Sequence, residues 1–457
     1  MAVISLTNLF LSVSFISLLC IGIKVKFFPT PPDTDYYTTA SFIIKLLVVY
    51  ALCRYLYYIY MKTYYLETPK NIARIKHDRE YLLSKQWENV KIQKPPLSAT
   101  FKDIPNDQKL LINASVQGVR LTGYLGEYEY GVFDEDIATR LALSAGARCL
   151  VLEIDRLENS LDPILLYRDS QGLRYSMNRG SIHAVAKSIA GRAFSPSDGG
   201  SNDPFFVVLY FNSAPNPTSQ TQDYVRFLAK VAKELNPLRD LLLGQTAQGD
   251  FRRQTLESQL FFMPTSVFRN KIIMLTNADT TLFRTLERCG LQGQIPSSED
   301  LDFMTHVRIY GLESPSPFNT TSSQVSSIKP AAVLTTPSYW LTIPPDRIAE
   351  AVSTTKQSWT LVMTPSSEMS MPDGENLKKL YNTYGVHCVP FSLADPPQKT
   401  NLWIASGAPF YRKTWNVKSE SIRFIPPKPI PISKPIPETN SNGGALTAPT
   451  LGGRARA

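Results

Sequence analysis

In the first sixty-six residues the apolar positions come in long blocks rather than in periods. Residues 1–23 carry no charged side chain and are rich in Leu, Ile, Val and Phe, enough to cross roughly 30 Å of hydrocarbon at about 1.5 Å per residue. The block predicts a transmembrane helix over 3–25, because a signal peptide would need a basic leader and a small-x-small cleavage motif that are missing. A second block over 40–61 contains Lys45 and Arg54. Lys45 is near one end and can snorkel, and the Leu, Val, Ile and Tyr content offsets Arg54. Tyr55, Tyr57, Tyr58, Tyr60, Tyr64 and Tyr65 then suit a membrane interface, where the ring is buried and the hydroxyl stays wet. The expectation for 1–66 is a two-helix transmembrane hairpin, with the lipid bilayer as first partner.

Beyond Leu66 the pattern becomes that of a globular chain. Residues 67–107 are charged, include the step Pro95-Pro96, and show a helical period through Ile72, Ile75, Tyr81 and Leu82; we expect a stalk. From 108 onward, short apolar runs alternate with helical periods. Strand-length runs fall at 110–114, 149–154, 164–167, 205–211 and 272–275. Between them, Asp134 can cap a helix repeating through Ile137, Leu141 and Ala145, and Ser181 one through Ile182, Val185, Ala186 and Ile189. A further period runs through Tyr224, Phe227, Leu228, Val231 and Leu235. Continuous apolar strands alternating with helices are the signature of a parallel sheet covered on both faces, an α/β fold. Residues 314–327, rich in Ser, Thr and Pro, predict a flexible insertion. The run Pro426 to Pro437 predicts a polyproline II rod, which serves as a spacer or docks an aromatic groove on a protein partner. The chain to 457 should be a disordered tail.

Charge and cysteine content refine this picture. A net charge of +9 over 457 residues, spread along the chain, calls for no nucleic-acid partner. Cys20, Cys53, Cys149, Cys289 and Cys388 lie far apart without a framework spacing, which fits a reducing compartment. Lys62, Lys70, Arg74, Lys76, Arg79 and Lys85 follow the second apolar block, against Lys24 and Lys26 between the blocks. The positive-inside rule therefore places the large C-terminal part on the cytoplasmic side. The sequons at Asn113 and Asn319 would then go unglycosylated.

Several segments, taken in order, resemble a known family. They are Leu110-Leu-Ile-Asn-Ala-Ser, Arg120-Leu-Thr-Gly, Gly146-Ala-Arg-Cys-Leu-Val-Leu-Glu-Ile-Asp, Asp162-Pro-Ile-Leu-Leu-Tyr, Pro204-Phe-Phe-Val-Val-Leu-Tyr-Phe-Asn, Asn270-Lys-Ile-Ile-Met-Leu, Gly385-Val-His-Cys-Val-Pro-Phe and Gly407-Ala-Pro-Phe-Tyr-Arg-Lys-Thr-Trp. Together they resemble the phosphatidylinositol-specific phospholipase C X-domain and the PLC-like phosphodiesterase barrels. The resemblance implies a TIM-like (β/α) barrel over 108–425 with its site at the C-terminal ends of the strands. Divergent membrane-anchored barrels of this kind resemble proteins of large DNA viruses, and on that reading the location is a virion or a host intracellular membrane.

In the family, one histidine is general base, a second is general acid, and calcium held by Asn, Glu, Asp and Glu stabilises the developing phosphorane charge. Matching the motifs puts the first His-Asn pair on Gln117 and Gly118, and the Glu-x-Asp pair on Val151 and Glu153. The second His falls on Tyr167, the last Glu ligand on Asn212 and a substrate lysine on Leu275. Only Glu153 then keeps a calcium-competent carboxylate, so calcium is expected to be lost and no catalytic residue or metal site remains. The histidines, His77, His183, His306 and His387, match no family position. Arg120 and Arg168 are candidates to grip a phosphate or lipid head group. The sequence therefore points to a catalytically degenerate, membrane-anchored barrel with a binding or assembly role. Two alternatives stay open: a phosphodiester or lipid hydrolase with relocated acid–base groups, and a head-group sensor without turnover.

The apolar blocks generate a direct expectation. The protein should stay in the membrane pellet through alkaline carbonate and dissolve only with detergent; release into the carbonate supernatant would reject the anchor.

Overall fold

The computed structural model describes residues 36–64, 68–90, 95–157, 160–168, 176–196, 200–243, 259–312, 330–364 and 372–427. The first apolar block (3–25), the insertion at 314–327 with Asn319, and the chain from 428 onward lie outside the described residues. The second apolar block forms helix α1 (Tyr36–Tyr64). Its stretch Ile43–Tyr60 is long and apolar enough to cross a membrane, and none of it is buried against the rest of the chain. It is the one such helix among the described residues, so the expected hairpin has one described member.

The expected stalk is instead a layer of the globular body. Helix α2 (Pro69–Val90) places Ile72, Ile75, Arg79, Leu83 and Gln86 on one face by the helical period. Leu83 is fully buried in the main core, and Ile72 and Ile75 pack against it. Apolar spacing in a charged segment thus produced a docked amphipathic helix, because that face had a surface to cover.

The chain then forms β1 (Ala114–Val116), β2 (Gly118–Arg120), a hairpin of β3 (Tyr124–Leu125) and β4 (Val132–Phe133), helix α3 (Glu135–Ser144), β5 (Cys149–Arg156), β6 (Pro163–Leu165) and α4 (Ile182–Arg192). It continues through β7 (Phe205–Phe211), α5 (Thr221–Glu234), β8 (Ile272–Thr276), β9 (Val307–Gly311) and β10 (Ala332–Thr335). Last come α6 (Ile348–Gln357), β11 (Trp359–Val362), α7 (Gly374–Lys379), β12 (Phe391–Ser392), α8 (Pro397–Ile404) and β13 (Trp415–Val417). Asp134 and Ser181 cap α3 and α4 as expected, accepting from the Ile137 and Ala184 amides at 2.9 and 3.2 Å.

The principal sheet runs β11-β10-β9-β8-β7-β5-β2-β12, with every pairing along that path parallel; β6 adds antiparallel to β5. Its two ends meet. Leu361 bridges Cys388 in parallel, the Val362 amide donates to the Cys388 carbonyl at 2.8 Å, and the Cys388 amide donates to the Thr360 carbonyl at 3.1 Å. The sheet is thus closed into the expected TIM-like barrel. The two-residue strand period sorts the side chains into two cores. Cys149, Val151, Phe206, Val208, Ile273, Leu275, Trp359 and Leu361 fill the interior, while Leu150, Leu152, Ile154, Val207 and Leu209 face the helices. Stacking of Phe206 on Trp359, with centroids 5.2 Å apart, plugs the interior.

The run at 110–114 departs from the expected strand. Leu111–Asn113 is a 3-10 turn leading into β1, which pairs antiparallel with β13 across the barrel's N-terminal end. Asn113 is the reason: its side-chain amide donates to the Gln108 and Phe424 carbonyls, both at 2.9 Å, and its oxygen accepts from the Phe424 amide at 2.8 Å. Fully buried in this clasp, the Asn113 sequon is closed to a glycosyltransferase in the folded chain whichever side of the membrane it occupies.

Two histidines are structural. His306 accepts the Met274 amide on Nδ1 and faces the Leu243 carbonyl through Nε2, at 3.0 and 3.1 Å. Burial pushes its pKa down to about 4, although both backbone contacts oppose the shift. His387 accepts the Thr360 amide at 2.9 Å, and burial, with Lys418 nearby, holds its pKa well below the usual value. In the unfolded chain these rings titrate near pH 6.5. Between that pH and about 4 the unfolded state takes up the His306 proton while the folded state does not, so stability is complete above pH 6.5 and falls as the pH drops. His306 alone should cost about 1.4 kcal/mol by pH 5.5. The urea midpoint of the detergent-solubilised protein at pH 7.5 and 5.5 checks this, and His306→Gln should reduce the difference to the share of His387.

Candidate functional site

At the mouth, the C-terminal ends of the barrel strands, the interior stops being apolar. On β5 the inward positions run Cys149, Val151, Glu153, Asp155, so two buried carboxylates stand above two core residues. On β2 the inward positions are Gly118 and Arg120. The Arg120 guanidinium meets Glu153 edge-on: Nε lies 2.8 Å from Oε1 and Nη2 lies 3.1 Å from Oε2. Leu121 leaves β2 with φ of 49°, and its amide also donates to Glu153 Oε1 at 3.3 Å. On its far side Arg120 reaches Thr364 Oγ1 at 3.5 Å. Both side chains of the pair are at most 4% exposed. Burial opposes the charge on Arg120, but Glu153 more than offsets it, and the guanidinium pKa is raised.

Asp155 carries the second pair. Arg168 Nε donates to Oδ2 at 2.8 Å, while Oδ1 accepts the Arg156 amide at 2.7 Å and the Ser213 hydroxyl. All four carboxylate oxygens of Glu153 and Asp155 are therefore engaged by N–H or O–H donors. Tyr210, inward on β7, completes this wall; burial and then the Glu153 charge raise its pKa. Behind it, Tyr167 is buried in a cluster with Tyr124 and Tyr128, at centroid separations of 5.6 and 5.9 Å. The Tyr128 hydroxyl donates to Asp395, and burial raises the pKa of that carboxyl.

The positions singled out from sequence are dispersed by this geometry. Gln117 is at the opposite end: its amide donates to the Thr414 carbonyl, and its carbonyl accepts from Arg148 and Cys149 at the start of β5. That is roughly 10 Å below Arg120, at about 3.3 Å per strand residue. Gly118 is also below the mouth, packed so closely that an added Cβ would meet Cys388 Sγ at 2.5 Å, so no ligating side chain fits there. Val151 and Leu275 belong to the apolar interior. Asn212 is at the mouth, its amide donating to the Ile154 carbonyl at 2.8 Å, and so is Glu153. Arg120 and Arg168 are both at the mouth, but each faces a carboxylate rather than an open phosphate site. Motif matching missed Asp155, Tyr210 and Thr364. The strand period could have found the first two, since Val151 and Val208 inside require Glu153, Asp155 and Tyr210 to follow on the same side. No imidazole is near: His77 and His183 are exposed on α2 and α4, and His306 and His387 serve backbone groups.

No family model matches the sequence, and no curated protein does. Among solved structures the chain is similar to PLC21 of L. pealei, at 15% identity and a TM-score of 0.46, over 70% of this chain and 38% of that one. It is similar to a calcium-dependent phosphoinositol-specific phospholipase C from Pseudomonas sp, at 11% identity and a TM-score of 0.37, over 70% of this chain and 99% of that one. It is similar also to a glycerophosphodiester phosphodiesterase from Parabacteroides distasonis, at 9% identity and a TM-score of 0.34, over 63% and 96%. The chain thus spans well under half of the L. pealei protein. At such identities residue roles do not transfer, and the chemistry rests on the side chains themselves.

The buried Arg120–Glu153 pair yields an asymmetric expectation. Arg120→Ala strands a buried carboxylate and should lower stability by about 3–5 kcal/mol, whereas Arg120→Met with Glu153→Leu should cost far less. Urea unfolding of the two variants checks this; equal losses would mean that packing, not charge, sets the cost.

Proposed function

We propose that this protein is a membrane-anchored, non-hydrolytic barrel whose mouth binds or scaffolds rather than cleaves. The observation that carries this reading is that Glu153 and Asp155, the two inward carboxylates of β5, are held by arginines while every histidine of the chain lies elsewhere. Phosphodiester cleavage by proton transfer needs a base and an acid that change protonation near neutral pH. An arginine does neither, because its guanidinium stays protonated.

The residues present do not fit a calcium ion. Calcium seeks six to eight oxygen ligands, and the oxygens of Glu153 and Asp155 already accept from guanidinium, amide and hydroxyl donors. A dication among them would face two fixed cations. Arg120 and Arg168 instead supply built-in positive charge. The apolar surface of Ile43–Tyr60 supports the anchor, and the basic residues that follow support a cytoplasmic location for the barrel. A virion or host intracellular membrane remains the proposed setting.

The test is inositol-phosphate release from phosphatidylinositol and its phosphorylated forms at high protein concentration, beside melting curves with calcium and with chelator. The expected result is no turnover and no calcium-dependent rise in Tm. Turnover abolished by a single change such as His183→Ala would establish a hydrolase with relocated groups. Head-group binding without turnover, weakened by Arg168→Ala, would identify the scaffold as a sensor.

A further inference from the structure

We infer that α2 is a clamp that holds the barrel with its mouth toward the bilayer from which α1 emerges, so that the ligand at the mouth is presented at or by a lipid surface. This rests on the reading of α1 as a membrane span. The direction of α2 along the barrel carries it. Lys76 pairs at 2.8 Å with Asp134, the cap of α3 on the mouth side. Three residues later Arg79, buried, donates from Nη2 to the Leu393 and Asp395 carbonyls at 2.6 and 2.7 Å, in the loop that leaves the mouth end of β12. Glu80 meets Arg140 in the second turn of α3, and Gln86 reaches Thr400 and Asn401 in α8, at 2.6 and 3.0 Å. Contacts thus progress away from the mouth as α2 proceeds. Its first residue, Pro69, projects roughly 10 Å beyond Lys76 on the mouth side, at about 1.5 Å per residue.

Chain length then excludes the inverted arrangement. Tyr64 ends α1 and Pro69 begins α2, and the connection spans at most roughly 17 Å when fully extended. At the usual strand tilt of about 36°, the eight residues of β5 alone make the barrel roughly 21 Å tall. Setting the opposite end on the bilayer would require the connection to cover that height and the roughly 10 Å overhang as well. It cannot.

The experiment uses the full chain in phosphatidylcholine vesicles, with Cys20, Cys53 and Cys289 changed to Ser. A fluorophore is placed at Glu129→Cys, in the exposed loop between β3 and β4 at the mouth, or at Lys102→Cys, exposed at the other end. Nitroxide on the lipid head groups should quench the probe at 129 and leave that at 102 at the level of the lipid-free control. Equal quenching, or stronger quenching at 102, in protein that resists carbonate would overturn the orientation. Release by carbonate would instead remove the anchor on which it rests. Arg79→Ala should narrow the contrast between the two probes without releasing the protein, and an unchanged contrast would show that the clamp does not set the orientation. Should that variant fail to fold, Lys76→Ala, which removes only a part-exposed ion pair, serves the same purpose.

Discussion

Closing parallel strands into a barrel turns every second side chain of each strand inward, and those side chains must either fill the interior or answer one another at its mouth. Lower down, Phe206, Trp359 and Leu361 fill it. At the mouth, Glu153 and Asp155 occupy the next two inward positions of β5, where an ionised carboxylate without a partner is costly. The edge-on contact between Arg120 and Glu153 resolves the first, and Arg168 with Ser213 the second. The same contacts fix the chemistry of the site. A guanidinium therefore stands against each of these two carboxylates.

The opposite end is organised by different means. β1 and β13 cross it, Asn113 ties the first and last segments of the body together, and Asp203 accepts the Leu97 amide and the Trp415 indole N–H at 3.0 and 3.2 Å. Lys418, fully buried there, donates to the Thr355 carbonyl at 2.9 Å, with His387 Nε2 also 2.9 Å away. Burial drives the pKa of Lys418 well below the usual lysine range. These groups satisfy backbone and one another, which is a structural rather than a chemical use of polar side chains.

Helix α2 follows the apolar helix α1 in the chain and packs beside the mouth. Its charged face made it look like a solvated stalk, but a helix needs only a narrow apolar stripe to dock. Arg79 reinforces that stripe by donating to carbonyls of the loop after β12, which the strands themselves leave unpaired. A docked helix, not a charged linker, thus follows α1.

Much of this was written in the sequence. Block hydrophobicity marked 40–61 as an apolar helix, apolar strand runs alternating with helical periods marked a parallel sheet covered on both faces, and Asp134 and Ser181 marked helix starts, because each signal depends only on neighbouring residues. The count of histidines also needed no structure. What sequence matching could not decide was which residue of each strand reaches the mouth, since a slip of two residues keeps the same face and moves a side chain by roughly 7 Å. Matching therefore named Gln117, Gly118 and Val151, which lie below the mouth, alongside Arg120 and Glu153, which the barrel presents there together with Asp155. Nor could it show that Arg120 and Arg168 are partnered, or that α2 is docked, because those facts depend on contacts between segments far apart in the chain. Local periodicity fixes what an element is; only closure of the barrel fixes what each element faces.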